Sequence, residues 1–160
     1  MNKPVEAPEL LTVSRLLPEF KDMPGGLMPL LHAVQEALGF IPASAVPLLA
    51  EAMNLSRAEV HGVITYYHFF RSKAPGKHVV QVCRAEACQS CGSEELLAQT
   101  EALLGCKLHE TSADGRFSLE PVYCLGLCAS SPAVQIDDKL YARMDKTRMA
   151  RLVADIGSAA

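Results

Sequence analysis

The sequence lacks several features that would point directly to a location or an activity. It has no apolar run of about 18 residues, which argues against a membrane span. Its first residues, MNKPVEAPELLTV, lack the apolar core of a secretory signal, so we expect a cytoplasmic protein. The nucleotide-binding fingerprint G-x-G-x-x-G and the phosphate-loop motif are also missing. We therefore do not expect this chain to bind a dinucleotide by itself.

An excess of basic charge is missing as well. The 160 residues carry 15 Lys and Arg side chains against 18 Asp and Glu, which gives a formal net charge of −3. Proteins that bind nucleic acid normally present a basic patch. The segment 53–70 resembles a helix–turn–helix, but a DNA-binding regulator is disfavoured without such a patch. We expect no nucleic-acid partner.

Cysteine is absent from the first half of the chain, yet six cysteines follow, at positions 83, 88, 91, 106, 124 and 128. Because the cytosol keeps thiols reduced, metal binding or thiol redox chemistry is expected instead of a disulfide framework. The uneven distribution also suggests two domains, 1–72 and 77–157. Between them, residues 72–76 form a linker rich in turn-forming residues.

The N-terminal domain has the apolar spacing of helices throughout. These helices are expected at about 10–20, 27–38 and 43–53, and from 56 onward. Gly39 ends the second helix, and Ser56 and Glu59 form an S-x-x-E capping box at the start of the fourth. Four aromatic residues near its end are interpreted as core residues, with a docking face as the alternative. They are Tyr66, Tyr67, Phe69 and Phe70.

The C-terminal domain has the pattern of a mixed α/β fold. Strands are expected at 78–82, 107–111, 117–123, 133–136 and 140–142. The second and third form a hairpin around Asp114-Gly115, Ser93 caps a helix that ends at Gly105, and a final amphipathic helix follows the strands. This order suits a small thioredoxin-like sandwich. The predicted class is therefore α+β, with an N-terminal helical bundle followed by a thioredoxin-like α/β domain that has a mixed sheet.

Four of the six cysteines form two close pairs, Cys83-x4-Cys88 and Cys124-x3-Cys128. Each short loop can bring two thiolates to one metal centre, and the fold can bring the two loops together. Four thiolates are the ligands of [2Fe–2S] clusters and of tetrahedral zinc sites alike. The spacings are wide for zinc, and the C-x2-C-x2-C run of bacterial four-iron ferredoxins is absent. The pattern therefore favours [2Fe–2S], with a structural zinc module as the alternative.

Cys91 supports two rival interpretations. The spacing Cys83-x4-Cys88-x2-Cys91 matches plant-type ferredoxins, which would make Cys91 a ligand and leave one cysteine of the second pair spare. Cys88-Gln-Ser-Cys91 is also a C-x-x-C motif that could act as a redox dithiol. The first hypothesis leaves the second close pair unexplained, and the second requires a ligand thiolate to remain free. Cys91 and Cys106 are therefore interpreted as free cysteines that behave as small, often buried hydrophobes.

Two segments carry a family resemblance: Val82-Cys83-Arg-Ala-Glu-Ala-Cys88 and Tyr123-Cys124-Leu-Gly-Leu-Cys128-Ala-Ser-Ser-Pro132. They resemble the thioredoxin-like [2Fe–2S] ferredoxin family, the small flavoprotein-associated subunits of respiratory complex I and its relatives. Residues 63–70 are similar to the end of that family's helical domain. Within the family, Arg84-Ala-Glu-Ala is most similar to the gamma subunit of NAD-dependent molybdenum formate dehydrogenases.

The resemblance implies one [2Fe–2S] cluster held by Cys83, Cys88, Cys124 and Cys128. It implies an electron-transfer subunit, without catalytic residues of its own, in an NAD-linked complex. A formate dehydrogenase that converts formate and NAD+ to CO2 and NADH is expected, and complex I or an NAD-reducing hydrogenase is the alternative. FMN, NAD and a [4Fe–4S] cluster would lie on a flavin subunit, and the molybdenum cofactor on a larger catalytic iron–sulfur subunit. No direct membrane contact is expected.

Overall fold

The computed structural model describes residues 8–158. The chain folds into two compact units, Met1–Ala74 and Pro75–Ala160. Each unit has a hydrophobic core made of its own residues. Within residues 8–158, the helices are too short or too polar to cross a bilayer.

The N-terminal unit is helical, as the apolar spacing predicts. Its helices are α1 (Pro8–Phe20), α2 (Leu27–Leu38), α3 (Val46–Ala52) and α4 (Arg57–Tyr66). Gly39 ends α2 in the left-handed conformation, at φ 81°, as expected of a helix C-terminal glycine. The third helix was expected from residue 43, but Ala43–Ala45 form a 3-10 turn. Because α3 begins at Val46, Pro47 lies in its first turn, where a missing N–H costs little.

The capping box at the start of α4 is confirmed. The Glu59 N–H donates to Ser56 Oγ at 3.1 Å, and the Ser56 N–H donates to Glu59 Oε2 at 2.7 Å. The two residues therefore satisfy two of the backbone donors that a helix start leaves free.

The four aromatic residues at the end of α4 and just after it do not all pack in the core, so that prediction was wrong for three of the four. Phe70 is buried, whereas Tyr66, Tyr67 and Phe69 are exposed, Tyr66 by 75%. Tyr66 is exposed because it lies on a different side of α4 from the buried Val60 and Ile64. After the helix, the buried Gln35 holds the backbone. Its Nε2 donates to the Phe69 carbonyl at 2.9 Å, and its Oε1 accepts the Arg71 N–H at 2.7 Å.

The C-terminal unit, over its described residues, is built on a five-stranded mixed sheet with the order β2-β3-β1-β4-β5. The strands are β1 (His78–Cys83), β2 (Glu110–Thr111), β3 (Phe117–Val122), β4 (Val134–Ile136) and β5 (Lys139–Tyr141). Strands β1 and β3 are parallel, and the other neighbours are antiparallel. The helices are α5 (Glu86–Ser90), α6 (Ser93–Leu104) and α7 (Lys146–Ser158). The predicted α+β class with a mixed sheet is confirmed.

The parallel pair determines where the cysteine loops lie. Cys83, the last residue of β1, is in register with Val122, the last residue of β3. Because the carboxyl ends of parallel strands meet at the same edge of a sheet, the loops that follow β1 and β3 start side by side. The hydrogen bond from the Arg84 N–H to the Val122 carbonyl, 2.8 Å long, continues this pairing past the strand ends.

Two local predictions in this unit were wrong. Strand β2 begins at Glu110 and not at Lys107, because His109 has a left-handed φ of 65° and the Glu110 N–H closes a turn onto the Lys107 carbonyl. Ser93 does not cap α6; Gly92 occupies the cap at φ 89°, and Ser93 is the first helical residue. The Ser93 Oγ is buried and has no hydrogen-bond partner within the described chain.

Candidate metal centre

The four cysteines of the two close pairs lie at the edge where β1 and β3 end. Cys83 closes β1 and Cys88 lies in the short helix α5, while Cys124 and Cys128 lie in the loop after β3. Cys83 and Cys88 pack with Ala133 in a small buried cluster of their own. The Cys83 N–H donates to the Ala133 carbonyl at 3.0 Å, which ties the end of β1 to the segment leading into β4.

The two pairs differ in exposure. Cys83 and Cys88 are each only 2% exposed, whereas Cys124 and Cys128 are exposed. One pair is therefore embedded in the protein, and the other faces the surface.

The two remaining cysteines also differ from each other. Cys106 is buried in the core of the C-terminal unit, as expected of a small hydrophobe. Cys91, the cap residue that follows α5, is exposed, so its interpretation as a buried hydrophobe was wrong. The reason is that Cys91 lies in the two-residue turn between α5, which ends at Ser90, and α6, which begins at Ser93.

The thiols interact as two pairs. Hydrogen bonding to the Cys124 thiol, together with its charge, raises the pKa of Cys128, and the more distant charges of Cys88 and Cys83 add to the increase. Burial raises the pKa of Cys83, and its contact with the Cys88 thiol adds to the increase. No group of three or more His, Cys, Asp or Glu side chains among residues 8–158 is placed to hold one metal ion. The strongest interactions are thus within each pair, and weaker ones act between the pairs.

Backbone N–H groups are directed at the sulfurs. Those of Ala85 and Cys124 lower the pKa of Cys83 against the effect of burial. Burial also raises the pKa of Cys88, but the Ser131 hydroxyl and the Ala133 N–H outweigh it, so the pKa of Cys88 falls.

The surface-facing pair has a donor of its own. The Gly126 N–H lies 3.4 Å from Cys124 Sγ. The positive φ angles of Cys124 (116°) and Gly126 (73°) fold the loop back on itself. Donors around sulfur stabilise the thiolate form that a metal requires. The donor set therefore fits a thiolate-bound cluster.

The arginine that follows Cys83 has a carboxylate partner. Arg84 Nε and Nη2 donate to the two carboxylate oxygens of Glu94 at 2.9 and 3.0 Å, which joins the loop after β1 to α6. This hydrogen bonding raises the pKa of Arg84 and lowers that of Glu94. The guanidinium beside the site is thus already paired.

Sequence reasoning missed the donors around the cysteines. Ser131-Pro132 is visible in the sequence next to the second pair, but nothing in it indicates that the Ser131 hydroxyl contacts Cys88, 43 residues away in the chain. The N–H groups of Ala85, Ala133 and Gly126 carry no sequence signal, because every residue except proline has one.

Comparison with protein families gives one match over most of the chain. The model of the thioredoxin-like [2Fe-2S] ferredoxin family matches residues 13–157, a range that includes both cysteine pairs.

Individual relatives are subunits of larger complexes. The chain is 31% identical to a subunit of the NADH-quinone oxidoreductase of Pseudomonas aeruginosa over 145 residues, which cover 91% of this chain and 87% of the relative. It is 29% identical to the HndA subunit of the NADP-reducing hydrogenase of Solidesulfovibrio fructosivorans over 131 residues, which cover 82% and 77%. Among solved structures, an NAD+-reducing [NiFe]-hydrogenase in the air-oxidised state matches with a TM-score of 0.69 at 25% identity. That match covers 84% of this chain but only 23% of the hydrogenase chain.

Proposed function

This chain belongs to the thioredoxin-like [2Fe–2S] ferredoxin family, and from this we propose that it carries one [2Fe–2S] cluster and transfers electrons within an NAD-linked oxidoreductase complex. The observation that carries the proposal is the meeting of two thiol pairs, each surrounded by hydrogen-bond donors, at one edge of the sheet. A [2Fe–2S] cluster supplies one-electron chemistry. The chain itself supplies ligands, burial and hydrogen bonds.

We propose Cys83, Cys88, Cys124 and Cys128 as the ligands, with one iron held by each close pair. The pairing of the thiols supports this assignment, because each iron of a [2Fe–2S] cluster takes two cysteines. A structural zinc ion, which also takes four thiolates, is the alternative, and the metal analysis described below separates the two.

The unequal exposure of the pairs indicates on which side electrons would pass. Cys83 and Cys88 are shielded from water, and they would hold the cluster within the fold. The exposed pair places Cys124 and Cys128 where another protein can approach. Because electron transfer slows steeply with distance, electrons would enter and leave on the Cys124 and Cys128 side.

For the complex, we propose a cytoplasmic NAD-dependent formate dehydrogenase. The support is the resemblance of Arg84-Ala-Glu-Ala, between the first two cysteines, to the gamma subunits of those enzymes. The partners would be a flavin subunit with FMN, NAD and a [4Fe–4S] cluster, and a larger molybdenum- and iron–sulfur-containing subunit. The relatives named above favour a second candidate, the equivalent subunit of an NADH-quinone oxidoreductase or a hydrogenase. Purifying the native complex and measuring NAD+ reduction with formate or with hydrogen, and quinone reduction with NADH, separates these assemblies.

Metal analysis of the anaerobically purified protein tests the cluster itself. We expect two iron and two acid-labile sulfide atoms per chain, as [2Fe–2S] requires, and a rhombic EPR signal that appears on reduction with dithionite. Stoichiometric zinc without an EPR signal would contradict the electron-transfer proposal and leave a structural module.

A further inference from the structure

One side-chain hydroxyl lies between the two cysteine pairs. Ser131 Oγ is 3.4 Å from Cys88 Sγ, and it donates to the Cys128 carbonyl oxygen at 3.0 Å. A single hydroxyl thus contacts a sulfur of the buried pair and the backbone of the exposed pair. The other donors to these sulfurs described above are backbone N–H groups, which substitution does not remove. Ser131 is therefore the donor whose effect can be tested directly.

Metal binding determines the direction of this hydrogen bond. With Cys88 as a thiol, the S–H donates to Ser131 Oγ. A cysteine that binds a metal is deprotonated, so Cys88 can then only accept. The Ser131 hydroxyl can then donate to the Cys88 sulfur in place of the Cys128 carbonyl.

We propose that Ser131 is a positioning residue that raises the reduction potential of the cluster by donating its hydroxyl hydrogen bond to Cys88 Sγ. This inference rests on the proposed function and its ligand set. If the cluster takes up one electron from a redox partner, the negative charge on the ligand sulfurs increases. A hydrogen bond to a more negative acceptor is stronger. The bond therefore stabilises the reduced state more than the oxidised state. The proton stays on Ser131 Oγ in both states, and no covalent bond forms or breaks.

Burial makes this bond effective. Cys88 is 2% exposed, so water cannot replace the hydroxyl as a donor to its sulfur. In such surroundings an electrostatic hydrogen bond is stronger than at an exposed site.

The experiment is a redox titration of the full-length, cluster-bound protein followed by EPR. We expect Ser131→Ala to lower the reduction potential, with an equilibrium constant for reduction up to about tenfold smaller, which is about 59 mV for a one-electron couple. Ser131→Thr keeps a hydroxyl and should keep the potential. Ser130→Ala is the matched control, because the backbone of Ser130, and not its hydroxyl, makes the hydrogen bonds to Leu127 and Arg143 that hold this loop. An unchanged potential in Ser131→Ala, or an equal shift in Ser130→Ala, would overturn the proposal.

If Ser131→Ala assembles no cluster, a second pair of variants tests whether the Ser131 hydroxyl raises the reduction potential. Ser131→Thr and Ser131→Val have the same shape and differ in the hydroxyl alone. A lower potential in the valine variant supports the proposal, and equal potentials overturn it. Wild-type protein without iron and sulfide would contradict the proposed function. Equal potentials in the cluster-bound variants would contradict only the role of Ser131.

Discussion

At the scale of single residues, serine substitution divides the six cysteines into ligands and non-ligands. Cys83→Ser, Cys88→Ser, Cys124→Ser and Cys128→Ser should each lose or alter the cluster, because each removes one of four thiolates. Cys106→Ser should keep it, because Cys106 packs in the core of the C-terminal unit and is not one of the proposed ligands. Iron content and the EPR spectrum measure the effect. Retention of the cluster in Cys124→Ser together with its loss in Cys91→Ser would establish the plant-type ligand set instead.

The exposure of Cys91 allows a test of the same assignment without substitution. Treatment of the cluster-bound protein with iodoacetamide should label Cys91 quickly, because it is exposed and not a proposed ligand. Cys124 and Cys128 should react only after the iron is removed, although both are exposed. Cys106 should stay slow in both forms, because burial and the nearby charges of Glu110, Glu101 and Asp114 raise the pKa of its thiol. Peptide mass spectrometry gives the rates, and protection of Cys91 by the cluster would count against our ligand set.

The residues of the site differ in how far the sequence can predict them. Cysteines at close spacing, such as Cys124 and Cys128, can be predicted from the sequence to lie together, because chain connectivity alone brings each pair together. The contact between Cys88 and Ser131 depends on the sheet, which brings distant segments together, and no local pattern encodes it. The ligand set itself stays a prediction until the experiments above are made.

At the scale of secondary structure, the capping box gives a quantitative prediction for α4. Ser56→Ala should lower the free energy of unfolding of the N-terminal unit by about 1 kcal/mol, because the Glu59 N–H loses its acceptor. Chemical denaturation measures the change. Ser14→Ala, an exposed substitution within α1, is the control and should be neutral or slightly stabilising. An equal loss in both variants would show that the cap contributes nothing specific.

The same box predicts a dependence on pH. The hydrogen bond from the Ser56 backbone N–H lowers the pKa of Glu59 in the folded protein, and a smaller contribution comes from the Ser56 hydroxyl. A carboxyl group with a lowered pKa stabilises the fold above its unfolded-state pKa, and this contribution is lost as the pH falls through the folded-state pKa. The difference in stability between wild type and Glu59→Gln should therefore shrink on acidification. A difference independent of pH would contradict the role of the carboxylate.

Periodic elements were predictable, and short or irregular ones were not. Helices α2 and α4 follow their apolar spacing, because burial of one face selects it. The five residues of α5 are too few to show a period, and no helix was predicted there. The start of β2 depends on the left-handed backbone of His109, a conformation that is uncommon in residues other than glycine and that no local pattern in the sequence indicates.

At the scale of the whole molecule, the proposed ligands depend on long-range pairing. Cys83 and Cys124 are separated by α5, α6, β2 and β3 in the chain, and they meet because β1 and β3 are parallel neighbours with Cys83 opposite Val122. Central strands of the C-terminal core therefore hold the two loops at a fixed separation. A change that loosens this core should disturb the site even when it touches no cysteine.

Two matched substitutions test this dependence. Leu31 in α2 and Leu119 in β3 are both fully buried, and each belongs to the core of a different unit. Replacement by alanine should lower the free energy of unfolding by about 2–5 kcal/mol in either case, from lost burial and the cavity left behind.

Leu119→Ala should increase hydrogen exchange in β1 and β3 and speed the loss of the cluster, because those strands carry the cysteine loops. Leu31→Ala should increase exchange in α1 to α4 and leave the rate of cluster loss unchanged, because its core contains no proposed ligand. Exchange measured by mass spectrometry, beside the decay of visible absorbance, separates the two effects. Equally fast cluster loss in both variants would mean that the site depends on the stability of both units and not on the β1–β3 pair alone.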